Sequence, residues 1–358
     1  MKRRDFTLCL ATAVAAPGAH AQWRRPPATQ APPIDAIART KALRIGAGPF
    51  TGGYLIAPNG RLNWYFANLG LIAIVQSLGA ADLDTYIRKY LDLYLSRLEP
   101  NHTIKDVNFN DTSLQTFTLA PSDSDDAYAA TFLSLAARYL KTASNWAWWE
   151  ANKLKLKNIA YANIATQIKV NGLCRVFQAS ATASTSGIGY LMDNCENYRG
   201  LRDLASILAL RGESTEANYY TNVATSMGYG INIQLWDSGR SGFKVSDVHL
   251  SADSKTFYPG TTCQIFPQAY GVAEASAYFA QAYNFLNTYS PNWPNEVYDP
   301  YPWMILGHVA ARRGDTTRAT TQVKATESKY VSNPGWVIIN ELGFYQRTKN
   351  VLNGLPDI

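Results

Sequence analysis

Histidine and cysteine are scarce in this chain. Its 358 residues hold four of each, with no CxxC and no His/Cys cluster. Structural and catalytic zinc sites need such ligands at short spacings, so no metal is expected, and no cofactor. Long apolar runs are also missing. The longest candidate, 69–78, is interrupted by Gln76 and Ser77, and a membrane-spanning helix needs ~20 apolar residues. Lys and Arg outnumber Asp and Glu by 33 to 27 but are spread out. The clustered patch that nucleic-acid binding requires is therefore absent. No G-x-S-x-G nucleophile turn occurs. The Gly-rich stretch Thr185-Ser186-Gly187-Ile188-Gly189 is followed by no phosphate-binding Lys. No fixed repeat of ~34 to 45 residues appears, which argues against a helical solenoid.

The amino terminus carries a clear pattern. Met1 to Arg4 reads MKRR, 7–17 is a short apolar stretch, and Ala19-His20-Ala21 is a small-x-small cleavage site before Gln22. Arg3-Arg4 followed by Asp5-Phe6 looks like a twin-arginine export signal, and an ordinary secretory signal tolerates the same residues. Residues 1–21 thus read as a signal peptide, and the mature chain is expected in the periplasm of a bacterium or outside the cell. The Pro- and Arg-rich segment 22–40 reads as a flexible leader. No second linker of that kind follows, so 41–358 is expected to be one domain, monomeric. Removing Lys2, Arg3, Arg4 and Asp5 lowers the formal charge from +6 to about +4. Cys174, Cys195 and Cys263 remain, and the disulfide expected in an oxidising compartment is Cys174–Cys195.

Helical periodicity dominates the rest. After a β-like stretch at 42–56 and a turn at Asn59-Gly60, apolar residues recur at helical spacing over 63–78 and 82–98. Segment 103–119 is polar and reads as a loop or ribbon. Further helices are expected at 122–139, 146–170 (one or two), 192–210, 214–236, 262–287, 299–313, 316–331 and 335–349, roughly eleven in all. Short and long connections alternate. Hairpins with tight turns at one end and long loops at the other fit a closed toroid, an all-α (α/α)6 barrel with short β-hairpins in its long loops.

Two acidic sites stand at helix starts after long loops. The first is Ser122-Asp123-Ser124-Asp125-Asp126, and the second is Asp193-Asn194-Cys195-Glu196. Ser122 with Asp125, and Asp193 with Glu196, have capping-box spacing, and acids in a first turn also suit the helix dipole. One cap needs one acid, however, and three crowd the first site. Aromatic residues make up 12% of the chain, including nine Trp and 22 Tyr. Most of these must be core, but a few can stack on sugar rings, with carboxylates and amides meeting the hydroxyls. Trp64, Tyr128, Tyr198, Tyr258, Trp303 and Trp336, with Asp123 and Arg199, are the substrate-binding candidates; Arg199 can instead pair with Glu196. Trp146, Trp148 and Trp149 add further aromatics. Paired carboxyls are what glycoside hydrolysis needs: one protonates the leaving oxygen, the other activates water or attacks the sugar. The candidates are Asp193, Glu196, Asp125 and Asp126. Glu274, Asp299 and Glu341 are weaker.

These helix starts resemble the six-hairpin glycosidase superfamily. Ser-Asp-Ser-Asp-Asp entering an Ala-rich helix is similar to its acidic motif. Met192-Asp193-Asn194-Cys195-Glu196 looks like a segment of unsaturated glucuronyl hydrolases, a resemblance that implies an acid/base role for Asp193. Phe257-Tyr258-Pro259-Gly260, Gln264-Ile265-Phe266-Pro267, Tyr301-Pro302-Trp303 and Gly335-Trp336 are similar to inner-helix starts of such barrels. The first acidic site lacks the His-Asp pair usual in the glucuronyl hydrolases. The expected function is an exported glycoside hydrolase acting on a polysaccharide or oligosaccharide. A polysaccharide lyase using Tyr258 or His249 as base, or a non-catalytic glycan-binding protein, are the alternatives.

Overall fold

Asn and Asp side chains start several helices as N-caps. Asn63 accepts from Phe66 N–H, Asn145 from Trp148 N–H and Asp315 from Arg318 N–H, each satisfying a donor with no intrahelical partner. The computed structural model describes residues 30–181 and 186–355; the expected signal peptide and the first part of the expected leader, 22–29, lie outside them. The helices are α1 (Ala36–Ala42), α2 (Trp64–Ile74), α3 (Ala80–Asp82), which runs through a π-helical turn into α4 (Lys89–Ser96), α5 (Asp126–Ala143), α6 (Trp146–Asn163), α7 (Leu191–Leu210), α8 (Ser214–Gly230), α9 (Phe266–Ala269), α10 (Phe279–Tyr289), α11 (Met304–Arg312), α12 (Thr316–Ser332) and α13 (Ile339–Leu352). Two small antiparallel hairpins sit in loops: β1 (Asp106–Phe109) with β2 (Phe117–Ala120), and β3 (Trp236–Asp237) with β4 (Gly242–Phe243). None of the described helices is long and apolar enough to cross a membrane.

The packing closes a ring. Helices α2, α5, α7, α9, α11 and α13 each touch the next, and α13 returns to α2. Outside them, α1 lies on α13 and α2, α6 on α5, α8 on α7, and α12 on α11 and α13, while α10 packs on the turn 262–265 that leads into α9. This is an (α/α)6 barrel. Inner and outer helices alternate along the chain, so the six inner helices run parallel. Their N-termini gather at one rim, served by the long loops. Their C-termini gather at the other, served by tight turns.

Three differences from the sequence reading have plain causes. The periodic stretch 262–287 is two elements, because Gly271 takes φ +68°, a conformation that L side chains rarely adopt, and turns the chain between α9 and α10. Residues 36–42, which overlap the end of the segment expected to be leader, form α1; Asp35 caps it, and Tyr345 of α13 accepts the nearby Ile34 N–H. Cys174 and Cys195 are both buried free thiols, not a disulfide. Burial raises both thiol pKa values well above the ordinary value.

Glycines let the inner helices approach closely. A Cβ on Gly200 of α7 would sit 2.6 Å from the Ala130 carbonyl oxygen of α5. One on Gly70 of α2 would sit 2.6 Å from the Ile339 carbonyl oxygen of α13. Such overlaps force backbone shifts, because the obstacle is a main-chain oxygen and not a flexible side chain. Gly200→Ala is therefore expected to destabilise the fold by roughly 1–3 kcal/mol. Gly79→Ala, where a Cβ meets nothing within 4 Å, is expected to stay within about 0.5 kcal/mol of wild type. Urea denaturation of the two variants checks this; equal stabilities would show that the α5–α7 contact yields.

Candidate active site at the rim of helix N-termini

Four stretches bring carboxyls to the N-terminal rim: β1, α5, α7 and α13. Asp106 of β1 is fully buried. The paired bonds between Leu62 and Val107 hold its strand beside the start of α2. Its carboxylate accepts from Trp64 N–H at 3.3 Å, from Asn63 Nδ2 at 2.6 Å and from the Tyr128 hydroxyl at 2.9 Å. Burial pushes its pKa up to about 7 and Asp123 adds to the rise, against the pull of Arg61 and these hydrogen bonds. Asp126 opens α5. It accepts from Ala127 N–H at 2.8 Å and from Asn197 Nδ2 of α7 at 2.7 Å. Glu196 of α7 accepts from the hydroxyl of Tyr65, which reaches it from α2, and from that of Tyr270, just after α9, at 3.1 Å. Donors from two other parts of the ring thus meet on one carboxylate, so Glu196 points into the lumen. Asp193 lies three residues earlier on the same helix face, one turn nearer the rim, and is 4% exposed.

Glu341 stands in the first turn of α13. Its carboxylate accepts from Met304 N–H of α11 at 2.6 Å and from Asn340 Nδ2 at 3.0 Å. Burial again pushes its pKa up to about 7, opposed by the Met304 N–H. The ring order sets α13 directly across from α7. Beside Glu341 the rim carries an aromatic wall. Tyr258 lies against Trp303 with ring centroids 4.7 Å apart, and Phe257 stacks on Tyr298 at 5.0 Å. Trp303 holds φ +56°, in the left-handed region, as the N-cap of α11.

This ring can be compared with solved structures. A rhamnosidase from Klebsiella oxytoca with rhamnose bound is similar at 14% identity and a TM-score of 0.63, over 92% of this chain and 66% of that one. The chain therefore spans just under two thirds of that enzyme. A glycosidase is similar at 11% identity and TM-score 0.58, over 90% of this chain and 95% of the other. A GH76 α-mannanase from Bacteroides thetaiotaomicron is similar at 12% identity and TM-score 0.55, over 89% and 95%. The chain has the fold of the six-hairpin glycosidases. No family model matches it, and no curated protein matches it in sequence.

Within this six-hairpin fold the expected site residues separate. Asp126, Asp193, Glu196 and Tyr128 come together at the rim, and Tyr258 and Trp303 form part of its wall. Asp123 sits half-buried on the loop before α5. Asp125 is drawn off to a neighbouring loop: it accepts from Gln178 N–H at 3.0 Å and its own N–H donates to the Val176 carbonyl at 2.9 Å. Burial raises its pKa, against that Gln178 bond. Trp64 does not line a groove. It is fully buried, packs on Tyr90 and Tyr94, and donates its indole N–H to the Lys105 carbonyl. Tyr198 is buried on the outward side of α7, accepting from Arg202 and Ala273 N–H. Arg199 pairs with Asp203 at 2.9 Å, one turn onward. Trp336, 42% exposed, stands on the turn before α13. Trp148 and Trp149 are core residues of the outer helix α6. Asp106, Tyr65 and Tyr270 escaped the sequence reading, and Glu341 was undervalued in it.

The raised carboxyls make stability depend on pH in a definite direction. Glu341 moves from an ordinary 4.5 to about 7. A carboxyl with a raised folded pKa gives its full contribution below the unfolded value, and that contribution is lost as pH rises through the folded one. The loss from Glu341 between pH 4.5 and 8 is on the order of 3 kcal/mol. Urea unfolding of Glu341→Gln across this range is expected to show a decline smaller by that order than wild type; identical declines would remove Glu341 from the account.

Proposed function

We propose that this chain is a glycoside hydrolase that works outside the cytoplasm on a polysaccharide or oligosaccharide. The observation that carries the reading is the division of carboxyls at one rim. Glu341 holds its proton up to near neutral pH, while Asp126 keeps two hydrogen-bond donors on its carboxylate. Glycoside hydrolysis needs one protonated acid and a second carboxyl set across from it. In this mechanism Glu341 protonates the leaving glycosidic oxygen. Asp193, on the helix across the ring, activates water or attacks the anomeric carbon. Asp126 and the hydrogen-bonded Glu196 line the space around the forming oxocarbenium-like centre. Tyr258 and Trp303 stack against sugar ring faces, and Asp123 with Arg61 meets hydroxyls at the lip. The glycoside hydrolases among the structural neighbours support the class of reaction. The chain's own carboxyls and aromatic wall support the roles.

The test is hydrolysis of a panel of neutral and uronate-containing polysaccharides, followed by reducing-end release. Glu341→Gln and Asp193→Asn are each expected to lower kcat by about 10²–10⁴ with the fold retained. Asp125→Asn is expected to lower stability while leaving most of the activity. Full activity in both Glu341→Gln and Asp193→Asn would sink the assignment. An ultraviolet-absorbing unsaturated product would replace it with a lyase.

A further inference from the structure

A proline-rich loop leads into α11. Residues 296–303 read Glu-Val-Tyr-Asp-Pro-Tyr-Pro-Trp, and Pro300 and Pro302 bring no backbone N–H. Such a loop cannot build a ladder of its own, so its carbonyls must be met from elsewhere. The loop matters to the acidic rim. It carries Tyr298 and Trp303 of the aromatic wall, and it leads directly to the Met304 N–H that Glu341 accepts.

The partners come from α12, a helix of the outer layer. Gln322, Thr326 and Lys329 stand at i, i+4 and i+7 and so share one face. Lys329 Nζ donates to the Pro300 carbonyl at 2.8 Å and lies 3.1 Å from Glu296 Oε2. The Thr326 hydroxyl donates to the other oxygen of Glu296. Gln322 is fully buried and reaches the end of the loop. Its Nε2 is 2.6 Å from the Pro302 carbonyl and 3.2 Å from that of Trp303, one contact for each amide hydrogen. The amide oxygen faces Gly307 of α11, where a Cβ would collide with it. The glycine thus opens the path by which an outer-layer amide reaches the start of an inner helix.

The residue held in this way is under constraint. Trp303 takes φ +56°. A bulky side chain rarely adopts this region and stays there only where its surroundings fix it. The Pro302 and Trp303 carbonyls bracket the φ and ψ bonds of Trp303, so one amide that grips both sets both angles. The indole is thereby placed against Tyr258.

We propose that Gln322 is a positioning residue for substrate: from the outer layer it locks the backbone of Trp303 and so aims the indole at a sugar ring of the bound glycan. The role toward sugar rests on the hydrolase reading; the hold on Trp303 does not.

The test uses Gln322→Met, which nearly conserves volume and removes both donors. In the whole chain labelled with ¹⁵N-tryptophan, the Trp303 indole signal is identified by its loss in Trp303→Phe. That signal is expected to move or broaden in Gln322→Met, while the signal of Trp149, on α6, stays in place. On a polysaccharide that wild type hydrolyses, KM is expected to rise roughly tenfold with kcat within about threefold of wild type. The same change is expected to add nothing to the KM of Trp303→Ala. Should Gln322→Met fail to fold, Gly307→Ala, which presses on the same amide from α11, carries the same expectations. An unmoved Trp303 signal, an unchanged KM, or a rise of equal size in the Trp303→Ala background overturns the proposal. Absence of hydrolysis by wild type counts against the hydrolase reading instead, and the indole spectrum then decides the hold of Gln322 by itself.

Discussion

Everything here follows from six helices forced to run parallel around one axis. Each leaves N–H groups without intrahelical partners at its start and carbonyls without them at its end. Parallel packing collects these at opposite rims and adds the dipoles instead of cancelling them. The N-terminal rim is therefore a place where buried carboxyls are tolerated. Asp106 takes the Trp64 N–H, Asp126 the Ala127 N–H and Glu341 the Met304 N–H. The glycine contacts that draw α5 to α7 and α2 to α13 bring these helix starts close enough for side chains to meet across the lumen.

Tolerance is not uniform, and chemistry depends on that. Glu341 has a backbone N–H and an amide, yet complete burial outweighs both and keeps its proton near neutral pH. Asp106 has three donors and still rises to about 7, so desolvation beats hydrogen bonding at this depth. Both carboxyls are thereby pushed up to about 7, so depth, more than the number of donors, sets their protonation at this rim.

The helices were legible because apolar residues recur every three or four positions, and the two acidic helix starts were legible because cap spacing and charge crowding are local. What was hidden depends on other parts of the chain. Asp106 sits in a run of Asn and Asp that reads as solvent loop; only the pairing of Leu62 with Val107 reveals that it caps α2. Tyr65 and Tyr270 look like ordinary core aromatics until Glu196 is found between their hydroxyls. Trp64 misled for the converse reason, since an aromatic at a helix start can face the groove or the outer layer, and sequence spacing does not distinguish the two. Gly271 broke a periodic stretch through a backbone angle that periodicity does not register.

The two rims meet at Tyr270. Its hydroxyl donates to Glu196, and the residue also lines a cavity shared by Arg138, Arg199, Arg312 and Arg347. Burial and the nearby Glu196 raise the pKa of that hydroxyl, and Arg347 pulls the other way. One side chain thus lies under the influence of both a carboxylate and a guanidinium.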